Sequence, residues 1–151
     1  MTEFVSFTSS TPRHALPLLV AGQAQKEFYV NEALARLDLL LHPVVEAQQT
    51  SPPVSPAIGQ CFIVASPATD VWEGLEDSIA GWDGQQWTFA APAEGTAVLD
   101  RSEGRLKHFR NGWQLPVQPS APSGGSVMDL EARATIDQLL EVLRQAGLIA
   151  A

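Results

Sequence analysis

Two tight-turn dipeptides, Asp83-Gly84 and Asn111-Gly112, constrain the fold of this chain more than any other feature of its sequence. Each dipeptide lies between aromatic residues, in the segments SIAGWDGQQWTFAA and LKHFRNGWQLPV. Such dipeptides favour the short turns that join antiparallel strands. The sequence therefore predicts two aromatic β-hairpins in a small antiparallel β domain over residues 58–117, which also contains the apolar strand CFIVAS.

A helix is predicted before this β domain, from about Ala21 to Leu41. It ends at His42-Pro43, because proline forces the residue before it out of the α region. Its apolar side chains recur at 4-3-4 spacing along one stripe: Val30, Leu34, Leu37 and Leu41.

A second helix is predicted after the β domain, within MDLEARATIDQLLEVLRQAGLIAA. Asp129 is the expected N-cap, and Gly147 is the expected residue just beyond the C-terminal end. The apolar positions follow a heptad pattern: Ala132, Ile136, Leu139, Leu143 and Ala146. An isolated helix of this length is marginal in water, so it must pack on the β domain or against copies of itself.

These elements predict an α+β chain with six segments. They are an extended N-terminal arm (1–20), a helix (21–42), a Pro-rich connector (43–57), the β domain (58–117), a flexible linker (118–127) and the C-terminal helix (128–147).

The charge content indicates burial in an assembly and argues against a nucleic-acid partner. Charged residues make up 17% of the chain, below the usual quarter, and the net charge is −8 without a Lys/Arg cluster. No run is long enough to span a bilayer, and the N-terminus lacks the pattern of a signal peptide. We therefore expect a protein made in the cytoplasm, with no membrane insertion.

The sequence contains no pattern typical of a catalytic, metal or cofactor site. His14, His42 and His108 have no neighbouring ligand at a metal-binding spacing, and there is no nucleophile elbow or phosphate-binding glycine loop. Cys61, the single cysteine, lies in an apolar strand, where a thiol behaves as a small hydrophobic group. We expect no catalytic residue, cofactor or metal.

One acidic segment, WEGLEDS, is the candidate glycan-binding site. It places Glu73, Glu76 and Asp77 next to Trp72, the best candidate for a surface ring that stacks on sugars. The alternatives are that Trp72 belongs to an aromatic core and that the acids are solvated. A pair of carboxylates beside a sugar-binding ring is also typical of glycan-cleaving enzymes, which gives a third hypothesis.

Three stretches together resemble one known family: TPRHALPLLVAGQAQKEFYVNEALARLD, PPVSPAIGQCFIVA and VWEGLEDSIAGWDGQQWTFAAPAEG. This is the family of domain of unknown function 2793, found in alphaproteobacterial phages, prophages and gene transfer agents. The resemblance covers about residues 11–113. It implies a non-enzymatic virion protein, a tail-tip fibre or head spike, that helps particles attach to cell-surface polysaccharide. No catalytic residues are established for the family, so none is carried over.

The same resemblance implies a homotrimer that docks onto other virion proteins, either a tail hub and baseplate or a capsid. The motif residues that correspond by position are Gly22, Gln23, Gln25, Lys26, Glu27, Asn31 and Glu32. The alternative function is a carbohydrate-binding module.

The polar residues in the first half of the N-terminal helix have two explanations. Copies of Gln or Asn can satisfy one another around a symmetry axis and fix the register of a bundle. Alternatively, they face water. The first explanation predicts an oligomer interface through both helices, formed by Gln23, Lys26, Asn31, Leu34, Leu37, Ile136, Leu139 and Leu143.

Overall fold

The structure is a computed structural model that describes residues 9–20, 22, 26–117, 119 and 129–149. Within these ranges the chain has the expected α+β architecture. Helices α1 (Lys26–Leu40) and α2 (Leu130–Gln145) flank eight short strands arranged in two four-stranded sheets.

The first sheet has the strand order β1-β6-β7-β8, and the second has the order β2-β3-β4-β5. The strands are β1 (Val44–Val45), β2 (Gln48–Gln49), β3 (Cys61–Val64), β4 (Ile79–Trp82), β5 (Trp87–Ala90), β6 (Ala97–Asp100), β7 (Arg105–Phe109) and β8 (Trp113–Gln114).

Both predicted hairpins are confirmed. In the first, β4 pairs with β5, and Asp83 closes the turn by accepting the backbone N–H groups of Gln85 and Gln86. In the second, β7 pairs with β8 around Asn111 and Gly112, both of which have positive φ. The turn residues therefore determined strand pairing as their chemistry predicts.

The Pro-rich connector predicted for residues 43–57 is partly wrong, because it contains strands β1 and β2. β1 pairs in parallel with β6 of the first sheet, and β2 pairs in parallel with β3 of the second. The chain thus passes from one sheet to the other within 44–49 and links them.

The main core lies between the two sheets and is closed by α1. Val45 and Val98 of the first sheet are fully buried with Ile63 and Ile79 of the second. Leu39 of α1 covers the second sheet at Gly81, where an added Cβ would overlap a methyl group of Leu39. This glycine allows the helix to approach the sheet closely.

A buried ion pair within the first sheet is also hydrogen-bonded to the second sheet. Asp100 and Lys107 lie 2.8 Å apart, and Lys107 Nζ also donates to the Gln48 side chain of the second sheet at 2.9 Å. Burial alone would raise the pKa of Asp100. The hydrogen bonds from Lys107 and from Ser102 outweigh that effect, so the pKa is lowered. The carboxylate therefore stays ionised in the interior.

The N-terminal segments differ from their predictions. Gly22 has a φ of +101°, so the helix does not extend back through it, and α1 begins at Lys26. Residues 9–20, called the arm below, fold back on themselves through a bridge between Ser10 and Pro17 instead of being extended. The predicted helical positions 21 and 23–25 lie outside the described residues.

The C-terminal helix agrees closely with its prediction. The Asp129 side chain accepts the N–H of Ala132 as an N-cap, and Gly147 follows the helix with a φ of +67°. The Gly147 carbonyl then accepts the N–H of Leu106 in β7 at 2.9 Å, which ties the end of α2 to the first sheet. The predicted linker 118–127 lies outside the described residues except for Pro119. Among the described helices, none is long and apolar enough to cross a membrane.

Candidate functional site

Two polar side chains of α1, Asp38 and Asn31, bind the arm. Asp38 is almost fully buried and accepts three hydrogen bonds, from the Thr11 hydroxyl at 2.6 Å and from the N–H groups of Arg13 and His14. These donors supply the hydrogen bonds that a buried carboxylate requires. Asp38 therefore anchors the turn of the arm to the helix.

Asn31 fixes the arm at a second point. Its side-chain oxygen accepts the N–H of Leu19 at 2.9 Å, and its side-chain nitrogen donates to the carbonyl of the same residue at 3.0 Å. Glu27 accepts the N–H of Gly22 at 3.1 Å. Both polar atoms of Asn31 thus have partners within one chain, so neither depends on a second copy for a hydrogen bond.

The arm also caps the C-terminal end of α1. The Arg13 guanidinium donates to the carbonyls of Asp38, Leu39 and His42, at 2.6, 3.1 and 3.0 Å. Nε2 of His14 lies 2.9 Å from the Leu41 carbonyl. The cationic Arg13 side chain complements the helix dipole at this end and satisfies carbonyls that have no partner within the helix.

The side of α1 opposite the arm is apolar and exposed. Tyr29 is 82% exposed, Leu37 48% and Leu40 41%, and Ala33 lies between them on the same side. These four residues are called the outward face of α1. Glu27 and Asp38 are buried while Leu37 and Leu40 are exposed, which reverses the usual pattern of a surface helix at these positions.

The other residues proposed for the oligomer interface on α1 lie around this face. Leu34 is half-buried and Lys26 is exposed, while Gln23 lies outside the described residues. Of the predicted apolar stripe, Val30 and Leu41 are exposed at 40% and 41%.

Helix α2 also presents apolar side chains to solvent. Ile136 is 41% exposed and Leu139 is 59% exposed, while Leu143 is half-buried. Leu140 is the buried residue of this helix. The expected heptad positions Ile136 and Leu139 thus remain available in a single chain.

Of the two alternatives for Trp72, a surface ring that stacks on sugars and a member of an aromatic core, the structure agrees with the core. The Trp72 side chain has no exposed surface and packs against Phe62 and Trp87, with ring centroids 6.0 and 5.1 Å away. The 3-10 turn Asp70–Trp72 carries the ring onto the outer side of the second sheet. Trp72 is the centre of a second aromatic core.

The acidic residues next to Trp72 organise their own loop. Glu76 accepts the N–H of Ala68 at 3.1 Å. Hydrogen bonds from its own backbone and from Ala68 lower the pKa of Glu76. The Asp77 carbonyl accepts the indole N–H of Trp113, and Glu73 is exposed. The acids therefore share one loop, but the adjacent Trp72 is buried and offers them no exposed ring.

Two grooves flank α1. The larger, about 830 Å³ and called the arm groove, lies between the arm, α1 and the β4–β5 turn. It is lined by Phe28, Asn31, Glu32, Ile58, Gln85 and Gln86 among others. The smaller, about 450 Å³ and called the edge groove, lies between Glu32 and Arg36 of α1 and the half-buried rings of Trp87 and Phe89.

The chemistry expected of Cys61 agrees with its surroundings. The thiol is buried, and burial raises its pKa to about 11, so it is protonated at neutral pH. Among the described residues, no group of three or more His, Cys, Asp or Glu side chains is arranged to hold a metal ion.

Sequence reasoning missed the pairing of Thr11 and Asp38, which are 27 positions apart. The one available signal was an acid within the apolar run LDLL. A charged residue among leucines at the end of a helix is costly unless it has buried partners.

A family model described as protein of unknown function (DUF2793) matches residues 30–114. The match begins within α1 and ends with β8, so it covers both sheets and more than half of the chain. The arm, Gly22 and α2 lie outside it. No curated protein and no solved structure matches the chain.

Proposed function

Since the chain belongs to the DUF2793 family, we propose that it is a non-enzymatic structural component of a phage or gene transfer agent particle. It forms a tail-tip fibre or head spike that contributes to attachment to host surface polysaccharide. The family itself is described as having no known function, so the particle and the attachment role come from the resemblance noted in the sequence.

The observation that carries the structural role is the exposure of apolar side chains on both helices. Tyr29, Leu37 and Leu40 on α1 and Leu139 on α2 are all more than 40% exposed. Exposed apolar side chains grouped along one side of a helix are typical of surfaces that another protein covers. We assign these faces to contacts between copies of the chain, and the number three follows the expectation for fibres.

The internal use of polar side chains supports the same role. Asp38 and Asn31 hold the arm with hydrogen bonds that a single chain satisfies, so these two side chains do not need a partner chain. A partner chain would therefore stabilise the assembly mainly by burying apolar surface, which contributes roughly 25 cal/mol per Å² removed from water.

The experiment is to look for the protein in particles. Particles released from the producing cells are purified, probed with an antibody against the chain, and examined by electron microscopy with gold labelling. We expect label at the tail tip or on the head, and fewer particles adsorbed to cells when the gene is deleted. Particles that lack the protein would contradict the proposal.

A carbohydrate-binding module is the second candidate, and the arm groove favours it. Phe28 is 71% exposed at this groove, and the amides of Gln85 and Gln86 line it together with Glu32. An exposed ring with nearby amide and carboxylate groups is the combination that sugar hydroxyls and sugar ring faces require.

A glycan array with wild type and Phe28→Ala tests this candidate. Loss of binding in Phe28→Ala, with binding kept in Leu139→Ser, would assign glycan recognition to the arm groove. Equal binding by wild type and Phe28→Ala would show that the arm groove is not the glycan-binding site, and it would not affect the structural role.

A further inference from the structure

Strand β5 is the outer strand of the second sheet on the side of the edge groove. The hydrogen bonds of β4 determine which backbone groups of β5 face outward. Trp82 donates to the Gln60 carbonyl at 3.0 Å and accepts the N–H of Gly59 at 2.8 Å, so its groups point toward β3. Trp82 lies opposite Trp87 of β5, and hydrogen-bonded and non-hydrogen-bonded pairs alternate along antiparallel strands. The backbone N–H and C=O groups of Trp87, and of Phe89 two residues further on, therefore point away from the sheet.

These outward groups have no partner within the described part of the chain. No hydrogen bond joins the backbone N–H or C=O of Trp87 or Phe89 to any described residue outside the β4–β5 pair. The strand WTFA also contains no charged residue and no proline, the features that usually prevent an edge from pairing. The edge is therefore able to accept another strand.

We propose that the occupant of this edge is β5 of a second copy, joined in antiparallel fashion about a two-fold axis through Thr88. In this register Trp87 of each copy lies opposite Phe89 of the other. Each such pair exchanges two hydrogen bonds, so every outward group of the two residues is used. The two sheets then form one continuous sheet across the dimer.

The side chains are complementary in the same register. Trp87 and Phe89 share one face of β5, so an aromatic ring meets an aromatic ring across the new strand pair. On the other face Thr88 meets Thr88 of the second copy. A strand that is its own complement favours a second copy over an unrelated peptide.

The charges beside the edge are complementary too. Glu32 and Arg36 line the edge groove as an ion pair at 2.9 Å, with side chains 51% and 58% exposed. A two-fold axis makes the α1 helices of the two copies antiparallel, so the acid of one helix comes toward the base of the other. The same two residues can therefore pair between copies.

This pairing is separate from the contacts assigned to the helix faces, because it uses the sheet edge and not the outward face of α1. It joins copies two at a time and predicts an even number of copies in the full assembly. If the helix faces join three copies into a trimer, pairing at the β5 edge joins two trimers into a hexamer.

Disulfide trapping tests the register. In the proposed pair the two Thr88 Cα atoms are about 4.5 Å apart, the spacing of a non-hydrogen-bonded pair, and a disulfide spans that distance. We expect Thr88→Cys to form a dimer under mild oxidation that separates on reduction. Gln86→Cys is the control, because its two copies lie about 14 Å or more apart along the strands in this register. Cys61 does not interfere, since it is buried and its pKa is about 11.

A second pair of variants does not depend on the cysteine. Phe89→Pro and Phe89→Ala both remove the ring, but only proline removes the outward N–H. Neither change removes a bond to β4, and proline is tolerated at such an edge position. We expect Phe89→Pro to weaken dimer formation about tenfold relative to Phe89→Ala, with circular dichroism unchanged.

Equal cross-linking of Thr88→Cys and Gln86→Cys, or none by either, would overturn the proposal. So would equal self-association of Phe89→Pro and Phe89→Ala. Each of these results leaves the helix faces and the proposed function untouched, because they concern a different surface.

Discussion

At the scale of single residues, the sequence identified important side chains but not their surroundings. Trp72 is adjacent to three acids along the chain, which suggested a surface site. The turn at Asp70–Trp72 instead places the indole against Phe62 and Trp87, and only the acids remain outside. Local composition cannot show which way a loop folds over a sheet, because that depends on contacts distant in sequence.

The first prediction follows from that burial. Trp72→Ala should lower the free energy of unfolding by about 3–5 kcal/mol, as truncation of a buried aromatic does. Chemical denaturation followed by circular dichroism measures the change. Glu73→Ala, which alters an exposed neighbour, should change stability by less than about 0.5 kcal/mol. A Trp72→Ala protein as stable as wild type would show that this ring is not part of the core.

The second prediction concerns Asp38. Asp38→Ala should free the arm at a cost of about 1.5–3 kcal/mol, the usual contribution of hydrogen bonds to a charged group. Because Arg13 is held against the end of α1, its release should speed trypsin cleavage after that residue. Limited proteolysis with mass spectrometry follows the cut site, and Asp137→Ala on α2 is the control. Cleavage after Arg13 at the same rate in all three proteins would contradict the anchoring role.

The third prediction is a pH dependence that comes from Asp100. Its folded pKa is lowered, so the stability it contributes is present above its unfolded pKa of about 3.9. That contribution is lost as the pH falls through the lower folded value. We expect the stability difference between wild type and Asp100→Asn to be constant near neutral pH and to shrink below about pH 4. A difference that does not change with pH would mean that the carboxylate is not held ionised by Lys107.

At the scale of elements, the sequence predicted both helices, both hairpins and the cap of α2. Turn dipeptides, the proline after α1 and Asp129 act over a few residues, so their effects can be recognised without a structure. Strands β1 and β2 were missed because two-residue strands have no detectable alternation, and their partners are distant in sequence. The orientation of α1 was missed as well, because Asp38 and Asn31 face the arm, whose contacts with the helix are distant in sequence.

The fourth prediction tests how α1 packs on the second sheet. Gly81→Ala should destabilise the fold by about 1–3 kcal/mol, because the new methyl group overlaps Leu39. Leu39→Ala removes the obstacle at its own cost. The double variant should therefore lose less stability than the sum of the losses measured for the two single variants. Thermal or chemical denaturation of all four proteins completes the cycle. Strict additivity would contradict the direct contact between helix and sheet.

At the scale of the whole molecule, two polar side chains of α1 find their partners within the chain, while several apolar side chains of both helices are exposed. The arm satisfies the carboxylate of Asp38 and the amide of Asn31, while the outward face of α1 and the apolar side of α2 remain exposed. The low proportion of charged residues, 17%, agrees with a chain whose surface is partly covered by other copies. This division is the basis of the structural role that we propose.

Sedimentation velocity tests that account most directly, on wild type and on Leu37→Ser with Leu40→Ser, at micromolar concentration. We expect wild type to sediment as a homo-oligomer and the double variant to dissociate to smaller species with its circular dichroism spectrum intact. Glu73→Ser, an exposed position outside both proposed contact surfaces, should keep the assembly. A wild-type monomer with both helices formed would contradict the assignment of these faces to contacts between copies.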